Sequence, residues 1–255
     1  MKKIVIANWK MNPQSLRDAE DIFKNVKKQS LKLKKVKTVI CPPYVYIERL
    51  RKLSEKNNTI FLGAQDCFHK EFGAWTGKIS PKMLRNIGAD FVILGHSELK
   101  NLGETQNDIN IKVKLALKNK LSPVICIGEE VRDNEGKYFS VIEEQLLSIL
   151  KGVGSQFSEK LIIVYEPVWS VGKGAKKIIS SEELVQISIF IKKLLVDKYG
   201  IEKSKKISIL YGGSVNHVNA EDLIQKGCVD GFLIGRDSLV YKNFNSILSI
   251  VENKN

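Results

Sequence analysis

The chain has little of what marks an exported, membrane-spanning or metal-binding protein. Nowhere among its 255 residues does an apolar run approach the roughly 18 residues that a membrane span requires. Behind the basic start at residues 1–3, the apolar stretch at 4–7 is too short for the core of a secretory signal, so a cytosolic location is expected. Cysteine is scarce, and Cys41, Cys67, Cys126 and Cys228 lack the paired spacing that zinc or redox motifs use. All four are expected to be reduced thiols in the core. The three histidines, His69, His96 and His217, form no ligand set by spacing, and no metal is expected. RNA-binding aromatic signatures and zinc-finger spacings are absent. No Ser/Gly-rich linker or shift in composition divides the chain, so a single domain over residues 1–255 is expected.

What is present begins with a hydrophobic content of 43%, ample for a sizeable core. Lysine and arginine outnumber aspartate and glutamate by 41 to 28, a formal charge of +13. Such a field attracts anions, whether nucleic acid, an acidic membrane or a small anionic substrate. The lysines, however, are dispersed along expected helices, with only short clusters such as Lys32-Leu33-Lys34-Lys35. That distribution reads as a solvated surface, and neither nucleic acid nor membrane is expected as a partner.

Short apolar runs of strand length recur at 4–7, 36–41, 60–64, 91–95, 124–127, 161–165, 207–211 and 232–235, with helical patterns between them. Most are continuous rather than alternating, which suits parallel strands covered on both faces. Ser180 with Glu183 three residues on predicts a capping box. Ser80-Pro81 predicts another helix start, and Gly88 and Gly200 fall where helices should stop. Eight strand–helix units predict an α/β fold, a single (β/α)8 TIM barrel with eight parallel strands inside a ring of helices. The competing open doubly wound sheet normally carries a glycine-rich dinucleotide loop after its first strand, and none is present.

A barrel of this kind gathers its chemistry just past the C-terminal ends of its strands. Polar residues do fall there: Asn8 and Lys10 after the first strand, His96 and Glu98 after the fourth, Glu166 after the sixth. Gly212-Gly213-Ser214 follow the seventh, and Gly235-Arg236 the eighth. Glu166 precedes Pro167, which keeps it extended; on an apolar shelf it can act as a general base, although a structural carboxylate paired with lysine looks the same in sequence. A neutral His96 can donate a hydrogen bond to a substrate carbonyl, and Lys10 can neutralise an oxyanion, unless each is merely structural or superficial. Asn8 either orients the same oxygen or caps a turn. Backbone amides at Gly172, Ser214, Gly235 and Arg236 can converge on a phosphate. Residues 167–177, with Gly172 and Gly174, suit a lid that excludes water.

These pieces, in this order, resemble the triosephosphate isomerase family. Seven motifs carry the likeness: Ala7-Asn8-Trp9-Lys10-Met11-Asn12, Gly63-Ala64-Gln65, Thr76-Gly77-Lys78-Ile79-Ser80-Pro81, Gly95-His96-Ser97-Glu98, Cys126-Ile127-Gly128-Glu129, Tyr165-Glu166-Pro167-Val168-Trp169 and Tyr211-Gly212-Gly213-Ser214-Val215. The resemblance covers essentially the whole chain. It implies reversible interconversion of dihydroxyacetone phosphate and D-glyceraldehyde 3-phosphate, in glycolysis and gluconeogenesis, without metal or organic cofactor. By the same resemblance Glu166 is the base, His96 the neutral electrophile, Lys10 and Asn8 the groups that stabilise the enediolate, and Glu98 a supporting residue. That division between carboxylate and neutral imidazole is the family's own. The resemblance also implies a homodimer in which Thr76 reaches toward the neighbouring site.

The chain departs from the family's pattern in places. The lid usually reads Trp-Ala-Ile-Gly-Thr-Gly-Lys; here it is Trp169-Ser170-Val171-Gly172-Lys173-Gly174-Ala175. Arg236 stands where the family has a second glycine. Lys78 replaces an acidic residue and Leu99 an arginine, two positions that form a charge pair between subunits in the family. Losing both partners is close to neutral where losing one is costly, so the dimer is expected to persist. Two other functions remain open on the residues alone: a Schiff-base aldolase using Lys10, and a basic nucleic-acid scaffold without catalysis.

Overall fold

In the computed structural model, which describes residues 2–54, 59–170 and 178–254, eight strands close into a barrel in the order in which they occur. They are β1 (Lys3–Asn8), β2 (Val36–Cys41), β3 (Ile60–Ala64), β4 (Phe91–Leu94), β5 (Ser122–Ile127), β6 (Ile162–Tyr165), β7 (Ser208–Tyr211) and β8 (Gly231–Ile234). Every neighbouring pair is parallel. All eight expected strands are present, with ends shifted by at most two residues. The largest shift is in β5, which starts at Ser122 and includes Pro123; proline has no N–H to give a ladder, and the start of a strand is where that costs least.

Successive side chains in a strand point to opposite faces, and here both faces are buried. Ile4, Ile6, Val39, Cys41, Ile93, Val124, Cys126, Ile162, Val164, Leu210 and Leu233 belong to a core inside the barrel. Val5, Ala7, Val36, Ile40, Val92, Leu94, Ile125, Ile163 and Tyr165 pack into a larger core beneath the helices. This double coverage is why the strands read as unbroken apolar runs. It also sets the site: continuing the inward parity of 4 and 6 gives Asn8, of 124 and 126 gives Gly128, of 162 and 164 gives Glu166, and of 231 and 233 gives Gly235.

The barrel is sealed where Ile4 pairs with Gly231 and Ala7 with Ile234. At this seam a Cβ on residue 231 would stand 1.7 Å from the Ile4 carbonyl oxygen, and Gly231 has φ +146°. Only glycine fits such an approach.

The helices start and stop as their capping residues dictate. Ser80 accepts from the Met83 N–H with Pro81 at the first turn, and Ser180 and Glu183 form the expected reciprocal box. Thr105 and Asp108 form a second one. Gly88 and Gly200 follow helix ends, both with positive φ. Cys41, Cys67 and Cys126 are buried, but Cys228 is exposed, contrary to expectation. It sits in the turn between the helix Ala220–Lys226 and β8 with φ +54°, and it is exposed although Gly227 and Val229 on either side are buried. Among the described residues no helix is long and apolar enough to cross a membrane.

Beside the rim lies a buried charge cluster. Lys112 Nζ bonds Asp66 Oδ1 at 2.7 Å and also Glu104 Oε1. Burial alone would lower the Lys112 pKa, but the two carboxylates override it and hold the ammonium above the usual lysine range. Burial pushes Asp66 up, with Lys112 opposing.

Candidate active site

The fourth strand ends at Leu94, and after Gly95 the chain turns at His96, which caps the short helix Ser97–Lys100. His96 Nδ1 accepts the Glu98 N–H at 3.2 Å. An imidazole nitrogen that accepts carries no proton, so the geometry assigns the proton to Nε2 and the ring is neutral. Nε2 lies 3.0 Å from Glu166 Oε1.

Glu166 is buried at the end of β6, 3% exposed, and its N–H is bonded to the Ile127 carbonyl at 2.8 Å. Its carboxylate takes two further bonds from one residue: the Ser97 N–H reaches Oε2 and the Ser97 hydroxyl reaches Oε1, both at 3.1 Å. Ser97 lay inside a quoted motif, yet nothing in its spacing marked it as the holder of the carboxylate. Such a buried acceptor, bonded by a backbone amide, a hydroxyl and an imidazole, is fixed in place.

Lys10 adopts φ +54°, a left-handed conformation that costs of order 1–3 kcal/mol for a residue with a side chain. Two neighbours hold it there. Asn8 Oδ1 accepts the Lys10 N–H at 3.1 Å, and Gln65 Nε2 donates to the carbonyls of Lys10 and Cys41 at 2.8 and 3.0 Å. The ammonium meets Glu98 Oε1 at 2.7 Å, so Glu98 bridges Lys10 to the His96 turn from an exposed position. Glu129, also from a quoted motif but given no role there, anchors the chain just beyond the base. Its Oε1 accepts from the Tyr165 hydroxyl at 2.8 Å and Trp169 Nε1 at 2.9 Å.

Asn8, Lys10, His96, Glu98 and Glu166 line one cavity of about 410 Å³ together with Ser214, Gly235 and Arg236. Gly235 abuts the Lys10 stem, its would-be Cβ 3.6 Å from Lys10 Cε. Arg236 opens the 3-10 turn Arg236–Leu239 with no positive φ, so a residue with a Cβ is tolerated where the family has glycine. The first amides of such a turn have no acceptor within it. The Ser214 hydroxyl donates to the Ser170 carbonyl at 2.6 Å. Gly172 and the rest of 171–177 lie outside the described residues. Arg236 is exposed, and among the described residues no carboxylate pairs with it. A guanidinium at the edge of this cavity adds long-range attraction for an anion, which salt screens. Arg236→Gly is therefore expected to raise KM several-fold at low ionic strength, with the gap narrowing at high salt, as steady-state kinetics at two ionic strengths would measure.

Fold and site together define a (β/α)8-barrel with a carboxylate, a neutral imidazole and an ammonium on one cavity. Comparison with known proteins narrows this. The family described as Triosephosphate isomerase matches residues 3–251. A triosephosphate isomerase of Alkaliphilus oremlandii is 38% identical over 97% of this chain and 99% of that protein. That of Natranaerobius thermophilus is 36% identical over 98% and 96%, and that of Dehalococcoides mccartyi 37% over the full length of both. The chain belongs to the triosephosphate isomerase family.

Proposed function

We propose that this single catalytic domain interconverts dihydroxyacetone phosphate and D-glyceraldehyde 3-phosphate. Glu166 takes a proton from the carbon beside the substrate carbonyl, and the electron pair left behind moves onto the carbonyl oxygen. The His96 Nε2–H, the Lys10 ammonium and Asn8 stabilise the resulting enediolate, and Glu98 holds Lys10 in register. Glu166 then returns the proton to the neighbouring carbon while a hydroxyl proton passes between the two oxygens, for which the neutral imidazole is at hand. Atoms and electrons balance without a metal or organic cofactor. Ser214, Gly235 and Arg236, with Gly172 from the 171–177 segment, bind the phosphate.

The observation that best supports this reading is the 3.0 Å separation of His96 Nε2 and Glu166 Oε1 on a cavity that Lys10 shares. Its test is an assay coupling the aldehyde product to a dehydrogenase, run on purified protein with chelator present. Turnover is expected, and borohydride added with substrate should leave no covalent adduct; an adduct would favour a Schiff-base aldolase. The reading places the enzyme in the cytoplasm, in glycolysis and gluconeogenesis, with neither nucleic acid nor membrane as partner.

The homodimer belongs to the same proposal. Thr76 is exposed on a loop whose Phe72 and Trp75 also face solvent. Exposed Met11 and Leu102 flank a groove of about 710 Å³ that Phe68 and Leu99 line. An apolar patch of this kind favours a second copy, and Leu99 in place of the family's arginine avoids setting a second cation against Lys78. Sedimentation at micromolar concentration should give a dimer, and Thr76→Arg should shift it toward monomer. A monomeric wild type would count against the assembly.

A further inference from the structure

Behind the reacting groups lie Lys100, Gln145 and the backbone of Gly128, none of which lines the cavity. Gln145, on the helix Lys137–Ile149, closes a two-bond bracket on Gly128. Its Oε1 accepts the Gly128 N–H and its Nε2 donates to the Gly128 carbonyl, each at 3.0 Å. Lys100 Nζ donates to the same Oε1 at 3.4 Å and to the Cys126 carbonyl at 3.1 Å. Among the described residues this partly buried ammonium pairs with no carboxylate. Burial holds it below the usual lysine range, opposed in part by neighbouring negative charge that includes Glu166. A lysine kept in such a place costs free energy.

What the bracket controls follows from the contacts of Gly128. A Cβ there would stand 2.0 Å from the Glu166 carbonyl oxygen and 2.5 Å from its carbonyl carbon. The backbones of 128 and 166 are thus in direct apposition, and a shift of one moves the other. Lys100 also ends the short helix that begins at Ser97, the residue whose N–H and hydroxyl hold the Glu166 carboxylate. The backbone of the base and its carboxylate are therefore braced by two routes that meet at Lys100 and Gln145.

We propose that Gln145, cross-braced by Lys100, is a positioning residue for the catalytic base: its amide sets Gly128 against the Glu166 backbone, and Lys100 ties that bracket to the helix that holds the carboxylate. The proposal rests on the role given to Glu166 above. Reactivity falls steeply when a catalytic group is misplaced by even an ångström, by roughly 10²-fold. Gln145→Met keeps the side chain's length and loses both bonds. It is expected to lower kcat by roughly tenfold to a hundredfold with KM within about twofold. Gln145→Glu keeps the acceptor for Gly128 and Lys100 but not the donor, and should fall between wild type and Gln145→Met.

A double-mutant cycle with Glu166→Ala separates positioning from general structural damage. In the Glu166→Ala background Gln145→Met should cost less than about twofold. An equal loss in both backgrounds, a loss confined to KM, or an unchanged kcat would overturn the proposal while leaving the role of Glu166 intact. Full activity of Glu166→Ala itself would overturn both. If Gln145→Met does not fold, Gln145→Glu and Lys100→Met are run through the same cycle with the same criteria.

Discussion

Replacing Glu166 with alanine is expected to lower kcat by roughly 10²–10⁴, with the affinity for phosphate-bearing inhibitors changed only a few-fold. In the function proposed above, the Glu166 carboxylate takes the proton from carbon, whereas Gly235 and Arg236 on the same cavity bind the phosphate. Its removal leaves the Ser97 N–H, the Ser97 hydroxyl and His96 Nε2 without their acceptor. Unsatisfied buried donors cost about 1–3 kcal/mol each unless water replaces the missing oxygen, so a modest fall in stability should accompany the loss of turnover. Steady-state kinetics and inhibitor titration on folded protein measure the two effects separately. Equal turnover in wild type and variant would remove Glu166 from the chemistry.

The largest effect on stability is expected from Lys112→Met. Lys112 is 6% exposed and supplies the cation for both Asp66 and Glu104. Breaking a buried ion pair by removing one partner costs about 3–5 kcal/mol, because the remaining charge is left uncompensated. The deficit should depend on pH. Asp66 is already held above the usual aspartate range by burial, so its ionisation costs native-state stability as the pH rises through its folded pKa. With Lys112 present that cost is limited; without it the cost grows. Denaturant titrations should therefore show the widest gap between wild type and variant at neutral pH and a narrower one in mild acid, where Asp66 takes up a proton. A gap that widens in acid would contradict this account. The Lys112 ammonium itself, held above the usual lysine range, contributes stability below that range and loses it only as the pH rises through its folded value.

Most of the barrel was legible because burial on both faces turns each strand into a run of apolar residues, and helices between them carry their own stop and start residues. The rim was legible for a related reason. Asn8 and Glu166 continue the inward parity of their strands, so a polar residue at the end of an apolar run marks the mouth. What could not be read is what depends on contacts between distant segments. No spacing announces that Ser97 donates twice to Glu166, that Gln65 crosses from β3 to hold the Lys10 carbonyl, or that Gln145 reaches Gly128 from another helix. The left-handed φ of Lys10 is equally hidden, since local propensity disfavours it and only the two holding bonds make it tolerable. Cys228 departs from the core for a local reason: its neighbour Val229 is buried, but the turn between helix and strand leaves residue 228 exposed.

The seam between Ile4 and Gly231 has a consequence for biosynthesis. Asn8 lies on the first strand of the barrel and Gly235 just past the last, so the pocket is assembled from strands far apart in the order of synthesis. Until β8 has emerged, β1 and β7 each present a bare hydrogen-bonding edge, the kind of surface on which chains aggregate. The edge of β1 stays bare from its own synthesis until that of β8, whereas that of β7 waits only for the next strand, and the pocket cannot close before β1 and β8 meet.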